Sequence, residues 1–409
     1  MSDLTTFREE IRSWLNDNCP ESMRTPVTQE EQVWGGRNVR FASTDAKLWF
    51  DRCVEKGYCV PDWPKEYGGA GFDRQQTRIF KEEMARLGCR APQVNLGIWM
   101  AGPAILEFGT EEQKREHLPK IARGEIRWCQ GYSEPGAGSD LAGLQCRADS
   151  DGDDYMINGS KMWTSGADES DWVYCLVRTD FDAPKHNGIT FLLFDMASEG
   201  VDAKPIELIT GETHFCQTFF DNVRVPKKNV LGVENQGWTV AKRVLQFERN
   251  MMSDMESSAV RAAVTPRSSA IEHIGLVDGK LADPIFRQDI ARHEIAKRAL
   301  DKTQQRMADE FAEGVGDMNV ATILKYVGTE EEKRKYELIL KIAGEHALGW
   351  SGDAFSDDGF SDEELQLTRD WLSSKTHSIA GGTSEIQLNI IAKRVLGLPE
   401  NTTVDKGGK

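Results

Sequence analysis

A chain of 409 residues has room for two or three packing units, and 39% hydrophobic with 28% charged residues are globular values that exclude a small stapled scaffold. Fifty basic against 66 acidic residues give a net charge of −16, which argues against long-range attraction to nucleic acid or anionic membrane and requires any phosphate-bearing ligand to be held by local donors. The longest apolar run, Ile189 to Phe194, is interrupted by Thr190 and is far too short to cross a bilayer, and the opening MSDLTTFREEIRSWL mixes Arg8, Glu9 and Glu10 into an amphipathic pattern unlike a secretory leader, so a cytoplasmic protein is expected.

From residue 4 to about 125 the apolar residues recur at three and four, as in Phe7, Ile11, Trp14 and Leu15 and again in Phe80, Met84 and Leu87, the period of amphipathic helix. Between Tyr58 and Gly69 the pattern breaks: Pro61, Pro64 and the pair Gly68-Gly69 predict an ordered loop between helices. From about 126 to 235 β-branched and aromatic residues alternate or run together, in Trp172 to Val177, Gly188 to Phe194 and Cys216 to Phe220, which predicts strands. Past Pro226 and Gly232 the helical period returns and holds to about Val395, with loops expected at 265–284 and 352–360 and a frayed tail at 400–409. The expected domains are 1–125, helical; 126–235, sheet; and 236–409, helical.

Cys19, Cys53, Cys59, Cys89, Cys129, Cys146, Cys175 and Cys216 form no CxxC pair and often neighbour large apolar residues, which reads as reduced core cysteine. His293-Glu294-Ile295-Ala296-Lys297 has Lys where a zinc helix needs its second His, so no metal site is expected.

Two stretches of the middle third carry candidate chemistry. Tyr132-Ser133-Glu134-Pro135-Gly136-Ala137-Gly138-Ser139-Asp140 has glycines that let backbone N–H groups face a ligand closely, although a solvent turn fits the same residues. Asn158 to Ala167 sets Trp163 beside the hydroxyls of Thr164 and Ser165, a group able to stack on and hydrogen-bond a flat heteroaromatic ring, while a buried core Trp is the other reading.

Together these stretches resemble the acyl-CoA dehydrogenase family. The resemblance extends over Pro61 to Gly69, Glu111 to Lys114 with Leu118-Pro119, Asn222 to Pro226, and Gly381-Gly382-Thr383-Ser384-Glu385-Ile386-Gln387, so it covers the chain from about 5 to 399. It implies an α+β multidomain fold: an N-terminal helical domain, a middle β-barrel-like sheet domain and a C-terminal four-helix bundle. It also implies FAD between the sheet domain and the C-terminal helices, a coenzyme A thioester along it, and α,β-dehydrogenation with electrons passed to electron-transfer flavoprotein. By motif position Tyr132 and Ser133 are expected at the flavin ring, Ser139 at the flavin and the coenzyme A arm, Trp163 with Ser165 over the ring's other side, and Thr383 with Glu385 at the adenine dinucleotide end.

In many members the base is a Glu immediately before the Gly-Thr of the C-terminal loop; here that position is Gly381. A smaller branch places the Glu, followed by Arg, on the first helix after the sheet domain, and Glu248-Arg249 matches it. The helix pattern agrees, since Val240, Val244, Phe247, Met251, Met252 and Met255 form an apolar stripe that encloses Glu248. A carboxylate there is either a general base or a buried partner of Arg243 or Arg249. Glu248 and Gly381 are therefore the expected catalytic pair, the backbone N–H of Gly381 polarising the thioester carbonyl, with Arg249 and Ser139 on the substrate.

Homotetrameric members lend each other an Arg-x-x-Phe-Gly arm and a Gln-x-x-Gly-Gly turn. This chain reads Glu272 to Gly279 at the first place and Lys341-Ile342-Ala343-Gly344-Glu345 at the second, and Leu388 replaces a common Arg. The resemblance is thus closest to the hetero-oligomeric, steroid side-chain type subunit carrying the catalytic Glu, and implies a homologous second chain, two of each in a heterotetramer. A non-catalytic partner subunit and a homotetrameric branched-chain enzyme are the alternatives. Small residues at Gly97, Ala101, Gly102 and Ala104 fit a bulky acyl group and fit close helix packing equally.

Overall fold

The computed structural model describes residues 2–258, 264–317, 319–350 and 360–399, so the expected loop at 352–360, save its last residue, and the tail at 400–409 lie outside the described residues. Two compact units emerge: Met1–Glu207 with Thr213–Ala262, and Leu208–Glu212 with Ala263–Lys409.

The first unit opens with helices α1 (Ser2–Asn18), α2 (Thr44–Lys56), α3 (Arg74–Leu87), α4 (Gly102–Phe108) and α5 (Glu111–Ala122). Their ends are set by local chemistry. Ser43 caps α2 by accepting from Ala46 N–H, and reciprocal capping boxes, Asp73 with Gln76 and Thr110 with Gln113, start α3 and α5. Gly57 and Gly88, both left-handed, stop α2 and α3. Leu15, Trp49, Cys53, Cys59 and Phe80 fill the core that α1, α2 and α3 share. The loop after α2 is ordered, as expected: Trp63 and Tyr67 are buried, and a Cβ on Gly69 would lie 2.1 Å from the Trp63 carbonyl oxygen.

The middle of the unit is a curled seven-stranded sheet, β1 (Trp128–Gly131), β2 (Arg147–Asp151), β3 (Asp154–Ser165), β4 (Trp172–Arg178), β5 (Ile189–Asp195), β6 (Val201–Ile206) and β7 (Phe215–Pro226), in the order β1-β4-β2-β3-β7-β6 with β5 also on β4. The continuous apolar runs of β4 and β5 are explained by burial on both faces. Tyr174, Leu176, Phe191 and Leu193 point into one core, and Val173, Cys175, Leu192 and Phe194 into the other. Helix α6 (Gly237–Ser258) follows, and Val240, Ala241 and Val244 join the first of these cores against β5, α4 and the π-helical turn Gly97–Ala101.

The second unit holds α7 (Pro266–His273), the small hairpin β8 (Leu276–Val277) and β9 (Lys280–Leu281), α8 (Pro284–Ala312), α9 (Asn319–Ala343), α10 (Asp362–Ser374) and α11 (Ser384–Ile390). His293, excluded above as a zinc ligand, instead meets Glu331 across α8 and α9 at 2.8 Å, both side chains buried. Among the described residues no group of side chains could hold a metal ion, no helix is long and apolar enough to cross a membrane, and all eight cysteines are unbridged.

Candidate active site

The loop Tyr132–Asp140 leaves β1 and is braced from below. Tyr132 and Ser133 give up their carbonyl oxygens to Lys161 Nζ (3.1 Å) and Met162 N–H (2.8 Å) of β3. Glu134 is buried and pairs with Lys161 at 2.7 Å while accepting the N–H groups of Gln145 and Cys146. Above this base the loop opens: nothing lies within 4 Å of a Cβ built on Gly136 or Gly138, and Ser139 is exposed.

Tyr132 itself turns inward, edge-on to Tyr174 and Phe191, with its hydroxyl shielded from solvent and without a hydrogen-bond partner. Trp163 does the opposite. It is 54% exposed, lies at a register shift of β3 against β7, and has φ of 61°, a left-handed backbone that a bulky residue adopts only under constraint. Its ring meets Phe215 edge-on, and Ser165 beside it is exposed. An unpartnered phenol, an exposed aromatic ring on strained backbone and an open glycine loop fit a flat polar heterocycle such as a flavin.

Glu248 lies on the same unit, partly buried on α6, with Oε2 out of contact with solvent. Its charge reaches two phenols. Burial first, then Glu248, push the Tyr132 hydroxyl well above the usual tyrosine pKa, and burial, Tyr132 and Glu248 do the same to Tyr174. Tyr174 donates to Gln130 Oε1 at 2.9 Å and contacts Met100 Sδ at 3.3 Å. Nothing in the sequence marked Tyr174, because an aromatic in a doubly buried strand looks like any core residue. Arg243, considered above as an ion partner of Glu248, is held by Glu107 at 2.7 Å and by Gln246. The side chain of Arg249 lies outside those described.

The small residues near α4 serve packing. A Cβ on Gly97 would meet Trp128 at 2.7 Å and one on Gly102 the Trp63 ring at 2.1 Å, while Ala101 and Ala104 are buried. These four positions therefore add no open volume.

In the second unit Gly381 and Gly382 have φ of 64° and 95° and lead into α11. Thr383 caps that helix by accepting from Ile386 N–H at 3.2 Å. Ser384 donates to Glu330 of α9 at 2.7 Å. Glu385 occupies the first turn, exposed, and hydrogen bonds from its own backbone N–H and from Thr383 hold its carboxyl below the usual range. Lys341 and Glu345 are exposed at the end of α9 and the turn after it.

A helical, sheet and helical chain with a braced glycine loop, a strained exposed tryptophan and a shielded carboxylate has the parts that a flavoprotein dehydrogenase needs. Three signatures tile the sequence: acyl-CoA dehydrogenase N-terminal domain over 2–125, middle domain over 129–223 and C-terminal domain over 235–396. The chain is 34% identical to acyl-CoA dehydrogenase IpdE1 of Mycobacterium tuberculosis, over 98% of this chain and 99% of that one. It superposes on the Tcur3481-Tcur3483 steroid ACAD with a TM-score of 0.72 at 29% identity, and on a chain of the ChsE4-ChsE5 complex from Mycobacterium tuberculosis with 0.69 at 28%, covering 98% of each chain in both cases. The chain belongs to the acyl-CoA dehydrogenase family. It is accordingly an FAD-dependent oxidoreductase, and a steroid ACAD is among the solved structures it resembles.

Proposed function

We propose that this chain removes the α-proton of a bulky acyl-CoA thioester, a steroid side chain or a branched or cyclic acyl group, with Glu248 as the base. The observation that carries the reading is the placement of Glu248: on a helix whose apolar stripe packs against β5, α4 and the turn Gly97–Ala101, with one oxygen screened from water. Such a carboxylate is poised to take a proton made acidic by thioester polarisation. FAD, when bound, supplies the acceptor for the β-hydride. Tyr132 and Ser133 would hold its ring, Trp163 and Ser165 would cover it, Ser139 would meet ring and coenzyme, Thr383 and Glu385 would approach the dinucleotide, and Gly381 N–H would polarise the carbonyl. The bulky substrate is supported by the steroid-type relatives and not by pocket volume.

The same reading includes electron-transfer flavoprotein as acceptor, a homologous second chain, a cytoplasmic setting, and domain limits at 125 and 235. Two solved relatives that carry paired names, the Tcur3481-Tcur3483 steroid ACAD and the ChsE4-ChsE5 complex, support the second chain. The deciding experiment compares Glu248→Gln with the parent on coenzyme A thioesters of graded bulk, with flavin content checked. A rate loss of about 10²- to 10⁴-fold at unchanged flavin loading is expected. Near-parental rates would remove Glu248 as base, and a preference for straight medium chains would remove the bulky substrate.

A further inference from the structure

We propose that the buried Lys161–Glu134 ion pair is a positioning device that shapes the loop Tyr132–Asp140 and the Trp163 turn together, and so sets flavin affinity without touching the flavin. The proposal rests on the reading that this loop faces the flavin.

The geometry is a knot of four tethers on one cation and one anion. Lys161 Nζ donates to the Tyr132 carbonyl (3.1 Å) and to Glu134 Oε1 (2.7 Å). The Glu134 carboxylate in turn accepts Gln145 N–H (2.6 Å) and Cys146 N–H (2.8 Å). The start of the loop and the backbone at Gln145 and Cys146, beyond its far end, are thereby fixed to the same pair. The next residue along β3, Met162, holds the Ser133 carbonyl at 2.8 Å, and the one after is the left-handed Trp163. Three consecutive residues thus link the loop to the exposed ring.

Burial makes the pair hard to explain as mere stabilisation. The Lys161 side chain is 0% and that of Glu134 7% exposed, and desolvation of two charges offsets most of their attraction. Desolvation alone would also discharge the ammonium; Cys175, Cys146 and Glu134 oppose it and hold the lysine above its ordinary pKa. What the pair secures that an apolar core would not is the direction of one carbonyl, that of Tyr132, and of two amides, those of Gln145 and Cys146.

The test uses the flavoprotein as it assembles, stripped of FAD and titrated with it again, comparing Lys161→Met and Glu134→Gln with the parent. The readouts are the FAD dissociation constant and, in the flavin-free protein, amide exchange across residues 132–136 and 161–163. Lys161→Met is expected to weaken FAD binding about tenfold or more, roughly 1.4 kcal/mol, and to speed exchange in both segments. Glu134→Gln should do the same to a smaller extent, and it carries the test if Lys161→Met does not fold. A lowered melting temperature with FAD affinity within about twofold and unchanged exchange would show a structural pair only and overturn the proposal. Ser133→Ala and Trp163→Ala separate the two failures. If they weaken FAD binding and the ion-pair variants do not, the proposal alone is wrong; if none of the variants does, the loop reading falls and takes the proposal with it.

Discussion

Trp163 combines two properties that seldom coincide, a left-handed backbone and a ring open to solvent. The conformation costs about 1–3 kcal/mol, which the surrounding register shift must over-determine. Replacing it by glycine separates strain from recognition. Trp163→Gly should leave the melting temperature of the flavin-free protein unchanged or slightly raised, while FAD affinity falls about tenfold. An unaltered flavin titration would refute the stacking role. The motif Asn158 to Ala167 pointed to this residue, and its aromatic ring and hydroxyl neighbours were enough to suggest a ring-binding group. The positive φ was not legible, since strand alternation carries no sign of a left-handed turn inside it. Lys161 and Glu134 stood in the quoted motifs without a role, because their pairing spans 27 residues and appears only when β3 is laid beneath the loop.

At the level of elements, the helical periods of the first hundred residues and the apolar runs of β4 and β5 were readable, because burial on one stripe or on two faces leaves different patterns. Side-chain clamps between elements were not. Arg8 and Arg12 of α1 and Arg86 of α3 converge on Glu83, which is buried; hydrogen bonds from Arg12 foremost, then Arg86 and Arg8, lower its carboxyl to about 2. A carboxyl lowered on folding stabilises above its unfolded pKa and loses that contribution as pH falls through its folded value. Glu83→Gln should therefore cost about 1–2 kcal/mol at neutral pH, and the gap between parent and variant should close between about pH 4.5 and 2. His117 of α5 behaves differently in a higher window. Desolvation first, then Lys120 and Lys228, push it down to about 4, and its Nδ1 is buried without a hydrogen-bond partner. An imidazole lowered on folding is neutral in the native state while the unfolded chain binds the proton, so stability is complete above about pH 6.5 and declines towards pH 4. His117→Phe should flatten that decline, and urea titrations at pH 7, 5.5 and 4.5 would show it. If the parent is equally stable at all three, the buried neutral histidine is not what folding protects.

For the whole molecule, the decisive features are what the second unit leaves uncovered and what the chain lacks. Leu348, Ile379 and Leu396 are 78%, 64% and 62% exposed, three positions of the second unit at which a large apolar side chain meets solvent. Where the family's homotetramers lend an Arg to the dinucleotide, this chain offers Glu272 to Gly279, and where they lend a Gln turn it offers Lys341 and the exposed Glu345. A dinucleotide diphosphate carries about two negative charges, each wanting donors such as an Arg fork. One missing charged donor costs about 2–3 kcal/mol, roughly a hundredfold in affinity, and a facing carboxylate adds repulsion. The chain by itself should therefore retain flavin poorly and become yellow and active only with a homologous partner that supplies those arms. Co-expression with the neighbouring reading frame, intact-mass measurement of the complex and a flavin count test this directly. One flavin per unlike pair is the expected result, because the pocket that relies on this chain's Glu345 side would be degenerate. A homotetramer of this chain alone holding four flavins tightly would show that the substitutions at these two places are drift around a site that still works.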